Sequence, residues 1–408
     1  MIQHALFQFV KKQLNYGVSN NSTSFHMNVS SNKNAAQLGA WEPPEELRML
    51  QDAVRRFMQR EVEPLEAQLE HDAYELPADK LEPLQSKARA AGLWCFRTPE
   101  AFGGAGLSLL GQALVAEETA KCRMGAYVPG CGAFGADPPN AIFNGTPFQI
   151  DKYAIPAVDR GKKIFFAISE ASGGSDPARS IRTTAKRQGD HYVLNGSKMW
   201  ITGAGGADWG LVFARTGDSA QRSGISCFIV DGQSLGLTCR PIKVIRSYAP
   251  YEVTLQDVKV PVENRLGEEG QGFAICEKWL VEGRVPYAAA TLGIAEAAMK
   301  IAIEWAKDRQ TFKSRLADKQ AIQWMLADSE IELRAARLLV YQAAWKGDLG
   351  QDMKLESSIA KVYATEAAHR IVDRCVQILG GMGVAAELPL ERWFRELRIK
   401  RIGEGPSE

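Results

Sequence analysis

The sequence predicts a multi-domain α+β protein: an N-terminal helical domain, a middle β-barrel or sandwich domain, and a C-terminal four-helix bundle. Three observations predict it. From Pro43 to about Val158, apolar residues recur at three- and four-residue spacing, as on one face of a helix. Between 164 and 269 the period becomes two, in short runs separated by Gly, Asp, Ser and Asn clusters. From Gly270 onward the helical period returns, rich in alanine and leucine. The expected division is a leader at 1–41, then domains at 42–163, 164–269 and 270–408.

The first 41 residues contain no Asp or Glu. Ile2, Leu6, Phe9, Val10 and Leu14 take helical spacing beside Lys11 and Lys12, and a Ser/Asn-rich run follows at Ser19–Asn34. This composition describes either an organelle transit peptide or a disordered tail; the arginines that transit peptides favour are missing. A mitochondrial matrix or a bacterial cytoplasm is the expected compartment.

In the N-terminal domain, Leu47, Leu50, Val54, Phe57 and Met58 predict a helix that Pro64 helps to end. Further helices are expected over Leu81–Ala91, closed by Gly92, and over Ser108–Lys121 after the glycine-rich connection Ala101–Leu107. In the middle domain, strands are expected at Ile164–Ile168, His191–Leu194, Lys198–Thr202, Trp209–Ala214, Ile225–Val230, Leu237–Pro241, Tyr251–Leu255 and Val258–Pro261. Asn195-Gly196 between alternating runs predicts a tight hairpin. No helical run separates these strands, which argues against a parallel βαβ sheet. Gln271–Asp308, Ala321–Lys346, Asp352–Leu379 and Leu388–Arg401 are the expected bundle helices.

Bulk properties exclude several function classes. The formal net charge is +1, from 49 basic and 48 acidic residues, so neither nucleic acid nor an anionic membrane is the expected partner. No apolar run is long enough for a membrane span. Seven scattered cysteines without C-x-x-C suggest a reduced compartment, and the five histidines show no metal-ligand spacing. Gly203-Ala204-Gly205-Gly206 lacks the third glycine spacing and the following helix of a dinucleotide-binding turn, and no P-loop occurs.

The most informative segment runs from Phe165 to Thr202. An apolar strand ends in the small-residue turn Ser169-Glu170-Ala171-Ser172-Gly173-Gly174-Ser175-Asp176, where bare backbone N–H groups can approach a flat polar ring or a phosphate. On these residues alone the stretch reads equally as a surface β-meander. Ala167–Asp176, followed by Asn195–Thr202, resembles the two flavin-binding signatures of the acyl-CoA dehydrogenase family. The resemblance extends from about Trp41 to Glu408.

That resemblance implies flavin adenine dinucleotide (FAD) as cofactor and an acyl-CoA thioester as substrate. It places Phe166, Ile168, Ser169, Gly174 and Ser175 along the flavin, with Trp200 and Ile201 against its face and Thr202 toward N5. Asp308–Phe312 with Lys319-Gln320 resembles the element that reaches the pyrophosphate and adenosine of a neighbouring subunit's cofactor, which implicates Arg309, Thr311, Phe312 and Gln320. Gln377, Ile378, Gly380 and Gly381 belong to the run that lies against the partner's cofactor. A homodimer or homotetramer with shared sites is therefore expected, and so is an electron-transfer flavoprotein or similar acceptor.

Glu404 falls where the family carries its catalytic base. Arg284, Gly405 and Ser175 are expected on the substrate, and Pro406 and Glu408 near the cofactor. Two positions depart from the family: Gly403 replaces a frequent aromatic, and Pro406 replaces Thr or Ser. The sequence extends four residues beyond Glu404, where relatives continue into a closing helix; weak cofactor retention is expected if that end is missing. Gly283 stands where some relatives carry an alternative base. Glu282 is one position off, a rotation of roughly 100° on a helix, and is not assigned that role. An oxygen-using relative (an acyl-CoA oxidase, nitroalkane oxidase or flavin monooxygenase) and a truncated non-catalytic member stay open as alternatives.

Overall fold

A computed structural model describes residues 42–217 and 221–408. The expected leader lies outside the described residues. Helix α1, Glu45–Phe57, buries Leu50 and Val54 and carries Glu45 and Glu46 in its first turn and Arg55 and Arg56 in its last, complementing the helix dipole. Pro64 does not end it. A π-turn at Met58–Val62 carries the chain into another helical turn at Glu63–Glu66, which takes Pro64 near its start, where a missing N–H is tolerated.

Helix α2 spans Ala78–Ala90, and α3 spans Leu109–Thr119, capped by Ser108 Oγ accepting from the Gly111 N–H at 3.1 Å. Leu50, Val54, Met58, Leu84, Ala88 and Leu93 build the core beneath α1 and α2.

The middle region forms one sheet of eight strands: β1 Ile164–Ala167, β2 Thr184–Gln188, β3 His191–Thr202, β4 Trp209–Arg215, β5 Ile225–Asp231, β6 Leu237–Pro241, β7 Pro250–Pro261 and β8 Arg265–Leu266. The order is β6-β7-β3-β2-β4-β5-β8, with β1 parallel to β4. Strands β4 and β5 are buried nearly throughout, which is why their sequences are continuous apolar runs and do not alternate. One face packs Tyr192, Leu194, Val212, Phe228 and Val253 together. The other packs Trp209, Leu211, Phe213 and Ile229 against Tyr153 and Cys276.

The hairpin expected at Asn195-Gly196 is not there. Strand β3 runs straight through, and the turn lies upstream at Gly189-Asp190, between paired residues Gln188 and His191, with Gly189 at φ +63°. Asn195 instead faces a bulge in β7: its Oδ1 accepts from the Asp257 N–H and its Nδ2 donates to Asp257 Oδ1, each at 2.9 Å. The two strands expected at 251–255 and 258–261 are therefore one strand with an extra residue. Strand β2 was not expected; Thr184–Gln188 is too polar to show an apolar period.

The C-terminal helices are α4 Gly272–Asp308, α5 Gln320–Asp348, α6 Lys354–Leu379 and α7 Leu390–Lys400. Their alanine-rich core also takes in Leu109, Ala113 and Leu114 of α3, so the N-terminal and C-terminal helices share one hydrophobic interior. The approach of α4 to α3 requires glycine: a Cβ on Gly293 would lie 1.9 Å from the Glu117 carbonyl oxygen.

Arg395 on α7 ties the three regions together. It donates to Asp72 Oδ1 at 3.0 Å, to the Ile245 carbonyl at 2.8 Å and to Glu391 Oε2 at 2.8 Å. Ser247 Oγ donates to the same Asp72 at 2.7 Å, which fixes the β6–β7 connection over α7. Among the described residues no helix is long and apolar enough to cross a membrane.

Gly293→Val is expected to force α3 and α4 apart and to destabilise the protein by about 3 kcal/mol, read as a lowered urea midpoint. An unchanged midpoint would refute the close approach.

Candidate active site

Two loops carry part of the expected site, and buried charge organises each. After β1 the chain turns through Ser169–Asp176. Glu170 in that turn is buried, and its carboxylate accepts from the Arg182 N–H at 2.7 Å, the Thr183 N–H at 3.0 Å, Thr183 Oγ1 at 2.6 Å and Lys198 Nζ at 2.8 Å. Lys198, fully buried on β3, also donates to the Ile168 carbonyl at 3.2 Å. Burial pushes the Glu170 carboxyl up, but Lys198 and the other donors outweigh it and leave it below the ordinary carboxylate value. Burial pulls Lys198 down to about 8, against the pull of Glu170, so it stays charged at neutral pH.

This pair holds the small-residue turn against β3, where the Met199 N–H donates to the Ser169 carbonyl at 2.9 Å. Gly174 and Ser175 are exposed at the tip of the turn. The half-buried Phe166 ring stacks on Trp279 of α4 at 4.0 Å between centroids.

Beside this loop, β3 carries one extra residue opposite β7, between Lys198 and Ile201. The bulge puts Trp200 in the left-handed region at φ +67° and turns its indole outward, 54% exposed, while Ile201 stays buried. Thr202 Oγ1 accepts from Arg246 Nη2 at 2.9 Å, which leaves the threonine hydrogen free to donate outward. Arg246 was not singled out in the sequence. It is buried, lies 3.9 Å above the Tyr127 ring, and its Nε has no partner.

Glu404 lies in the turn after α7, also left-handed at φ +55°. Arg284 Nε donates to the Glu404 carbonyl at 3.1 Å and Arg284 Nη1 to Ser358 Oγ at 3.0 Å. Lys361 Nζ donates to the carbonyls of Arg401 at 3.0 Å and Gly405 at 2.5 Å. These bonds fix the backbone and leave the carboxylate free: Glu404 Oε2 is buried without a hydrogen-bond partner among the described residues. Burial pushes the Glu404 carboxyl above its ordinary value, against the pull of Lys400, Arg97, Arg284 and Lys361. A Cβ on Gly283 would lie 3.6 Å from Glu404 Oε2, so position 283 faces the carboxylate. Glu282 pairs instead with Lys278 at 4.0 Å.

The Gly403 departure has a steric cause. A Cβ there would meet the Tyr287 hydroxyl at 2.4 Å. The aromatic ring next to the base comes from α4, not from the preceding residue. Pro406 is half-buried, Ser407 Oγ donates to Glu366 Oε1 at 2.6 Å, and Glu408 is exposed.

A third group assembles on the bundle surface. Arg309, Thr311, Ile378, Gly380 and Gly381 line one cavity of about 450 Å³, although nearly 70 residues separate Arg309 from Ile378. Arg309 follows the end of α4 rather than lying on a helix. Its guanidinium makes no hydrogen bond or ion pair among the described residues. Thr311 pairs with Ser314 across a two-residue hairpin loop whose Phe312 and Lys313 both take positive φ, and Phe312 is 96% exposed. Both glycines of the cavity have open space where a side chain would stand. Gln320 and Gln377 are exposed nearby in sequence.

A larger cavity, about 540 Å³ and lined by Lys162, Asp208, Asp231 and Ser234, includes none of the expected residues. Cys122, Cys131 and Glu66 also converge within 4.8 Å, which the spacing did not show. That carboxylate is engaged by the N–H groups of Arg123 and Met124 and by Cys131 Sγ.

Comparison with known proteins gives the family. Three domain families match in succession: "Acyl-CoA dehydrogenase, N-terminal domain" over 44–159, the "middle domain" over 165–258 and the "C-terminal domain" over 270–408. The chain belongs to the acyl-CoA dehydrogenase family. It is 37% identical over 378 residues to the mitochondrial short-chain specific acyl-CoA dehydrogenase of Rattus norvegicus, covering 90% of this chain and 88% of that one. It is 36% identical to subunit CarC of the caffeyl-CoA reductase-Etf complex of Acetobacterium woodii, covering 89% and 96%. The butyryl-CoA dehydrogenase of Megasphaera elsdenii shares its fold at a TM-score of 0.80 and 32% identity, over 90% of this chain and 96% of that one.

For an acyl-CoA dehydrogenase, the residues present fit a flavin nucleotide. Trp200 and the free Thr202 hydrogen offer a stacking face and a donor. The bare Gly380-Gly381 run and the unpaired Arg309 suit a phosphate-bearing arm.

Glu170→Gln leaves a buried, unpaired Lys198 and should cost about 3–5 kcal/mol together with loss of bound flavin, measured by urea unfolding and visible absorbance. Because the folded Glu170 value is depressed, its contribution is present above the ordinary carboxylate range and is lost as pH falls through the folded value. The wild-type acid limb should therefore flatten in the variant; an identical limb would refute the assignment.

Proposed function

We propose that this chain catalyses α,β-dehydrogenation of an acyl-CoA thioester with FAD as hydride acceptor and Glu404 as the base for the α-proton. The observation that carries this reading is the Glu404 carboxylate: its backbone is clamped by Arg284 and Lys361, yet one carboxylate oxygen is buried with no partner. An unengaged oxygen on a fixed backbone suits proton abstraction. The α-proton of a thioester is weakly acidic, so a base raised above the ordinary carboxylate value matches it better.

Bound FAD would accept the β-hydride through N5. This chain's residues orient and hold. Thr202, polarised by Arg246, would direct a donor toward the ring position that gains electron density. Trp200 would cover one face. Among the described residues no backbone carbonyl accepts from the Glu404 N–H, which leaves it available to the thioester oxygen. Arg309, Thr311, Phe312 and the Gln377–Gly381 run would serve the neighbouring subunit's cofactor, which requires a dimer or tetramer.

Relatives named for short acyl chains support a short acyl group, and the CarC relative, named as part of an Etf complex, supports an electron-transfer flavoprotein as acceptor. Peroxide formation in air during turnover would favour the oxygen-using alternative.

Under anaerobic conditions a short acyl-CoA should bleach the protein-bound flavin, and no bleaching across short, medium, long and branched esters would sink the proposal. Glu404→Gln should keep its flavin and lose about 10²–10⁴-fold in turnover, the usual contribution of a general base.

A further inference from the structure

We propose that Lys400 is a positioning residue for this reaction: its ammonium, held against two tyrosine rings one turn before Glu404, keeps the Glu404 carboxylate ionised and able to accept a proton. The inference rests on the reading of Glu404 as the base.

Lys400 is the last residue of α7, and its side chain is buried. Its Nζ lies 3.9 Å from the centroid of Tyr287 and 4.5 Å from that of Tyr127. An aromatic face holds a cation without neutralising it. Tyr287 also donates its hydroxyl to the Lys400 carbonyl at 3.3 Å. The ring has room because residue 403 is glycine. Gly403, Tyr287 and Lys400 thus form one assembly.

The neighbouring cations are committed differently. Arg284 binds the Glu404 carbonyl and Ser358, and Lys361 binds two carbonyls of the turn. Both spend their N–H groups on those hydrogen bonds while still pulling on the carboxyl, whereas the Lys400 ammonium rests on ring faces.

Charged groups face this pair from every packed element. Arg284 comes from α4, Lys361 from α6, Glu396 from α7 and Arg97 from the segment before α3. Arg246 comes from the β6–β7 connection. Burial pushes the phenols of Tyr127 and Tyr287 up, so both stay neutral. Burial also pulls Lys400 down to about 8; Glu404 and Glu396 oppose that, while Arg246 and Lys361 add to it. Lys400 is therefore charged at neutral pH. A nearby cation favours the charged carboxylate, so removing it must raise the Glu404 value further.

The test is an infrared pH titration of the flavin-loaded protein. The protonated-carboxyl band of Glu404 is the one that Glu404→Gln abolishes. In Lys400→Met and Lys400→Gln its midpoint should move up by about 1 pH unit, and the acid limb of kcat/KM should follow. Lys400→Arg, which keeps the charge, should titrate close to wild type. Neutral variants that bind flavin and leave the midpoint in place would overturn the proposal.

If both neutral variants fail to fold, wild type and Lys400→Arg decide it. The ionised-carboxylate band of Glu404 should shift with a midpoint near pH 8 in wild type, as Lys400 loses its proton, and not in Lys400→Arg. Identical titrations would overturn it. Retained turnover in Glu404→Gln would instead refute the base reading, while the infrared midpoints would still decide the Lys400 effect.

Discussion

The Lys198–Glu170 ion pair holds the candidate flavin cradle in shape. The turn after β1 is made of serine, glycine and alanine, which have little apolar surface to bury. Such a segment does not fix itself by hydrophobic packing. Glu170 reaches inward and gathers two backbone N–H groups, a hydroxyl and an ammonium from two later segments. The turn can then stay small and open on its outer side because its order comes from the inner side. Replacing the pair by apolar residues could keep the stability, but no apolar pair supplies those directional contacts.

The Glu404 turn obeys the same logic with the charges reversed. Here cations hold carbonyl oxygens, and the acidic side chain is left unengaged. Arg284 and Lys361 stabilise a left-handed conformation that a non-glycine residue would otherwise avoid, a local strain of order 1–3 kcal/mol. Trp200 is left-handed too, at the bulge of β3. Both strained residues are among those the functional reading uses.

Much of this was legible in the residues. Apolar period located the long helices, and continuous apolar runs located β4 and β5, because burial on one stripe or on both faces leaves a direct trace. The polar strand β2 left none. Asn195-Gly196 misled because the same dipeptide suits a hairpin and a strand facing a bulge; the partner that decides between them, Asp257, is 62 residues away in sequence. Glu404 and Arg309 were found only through the resemblance. The roles of Arg246, Lys198 and Lys400 could not be read, since each depends on tertiary neighbours: a threonine hydroxyl, a buried carboxylate and two tyrosine rings.

The exchange of Gly403 for an aromatic residue also constrains how this sequence can change. Tyr287 occupies the volume that a side chain at 403 would need. Restoring the family's aromatic at 403 drives two rings into one space, and trimming Tyr287 alone opens a void and strips Lys400 of a supporting face. Substitutions at 287 and 403 are therefore coupled: the side chain that fits at one depends on the residue at the other. A comparison of single positions would miss that dependence.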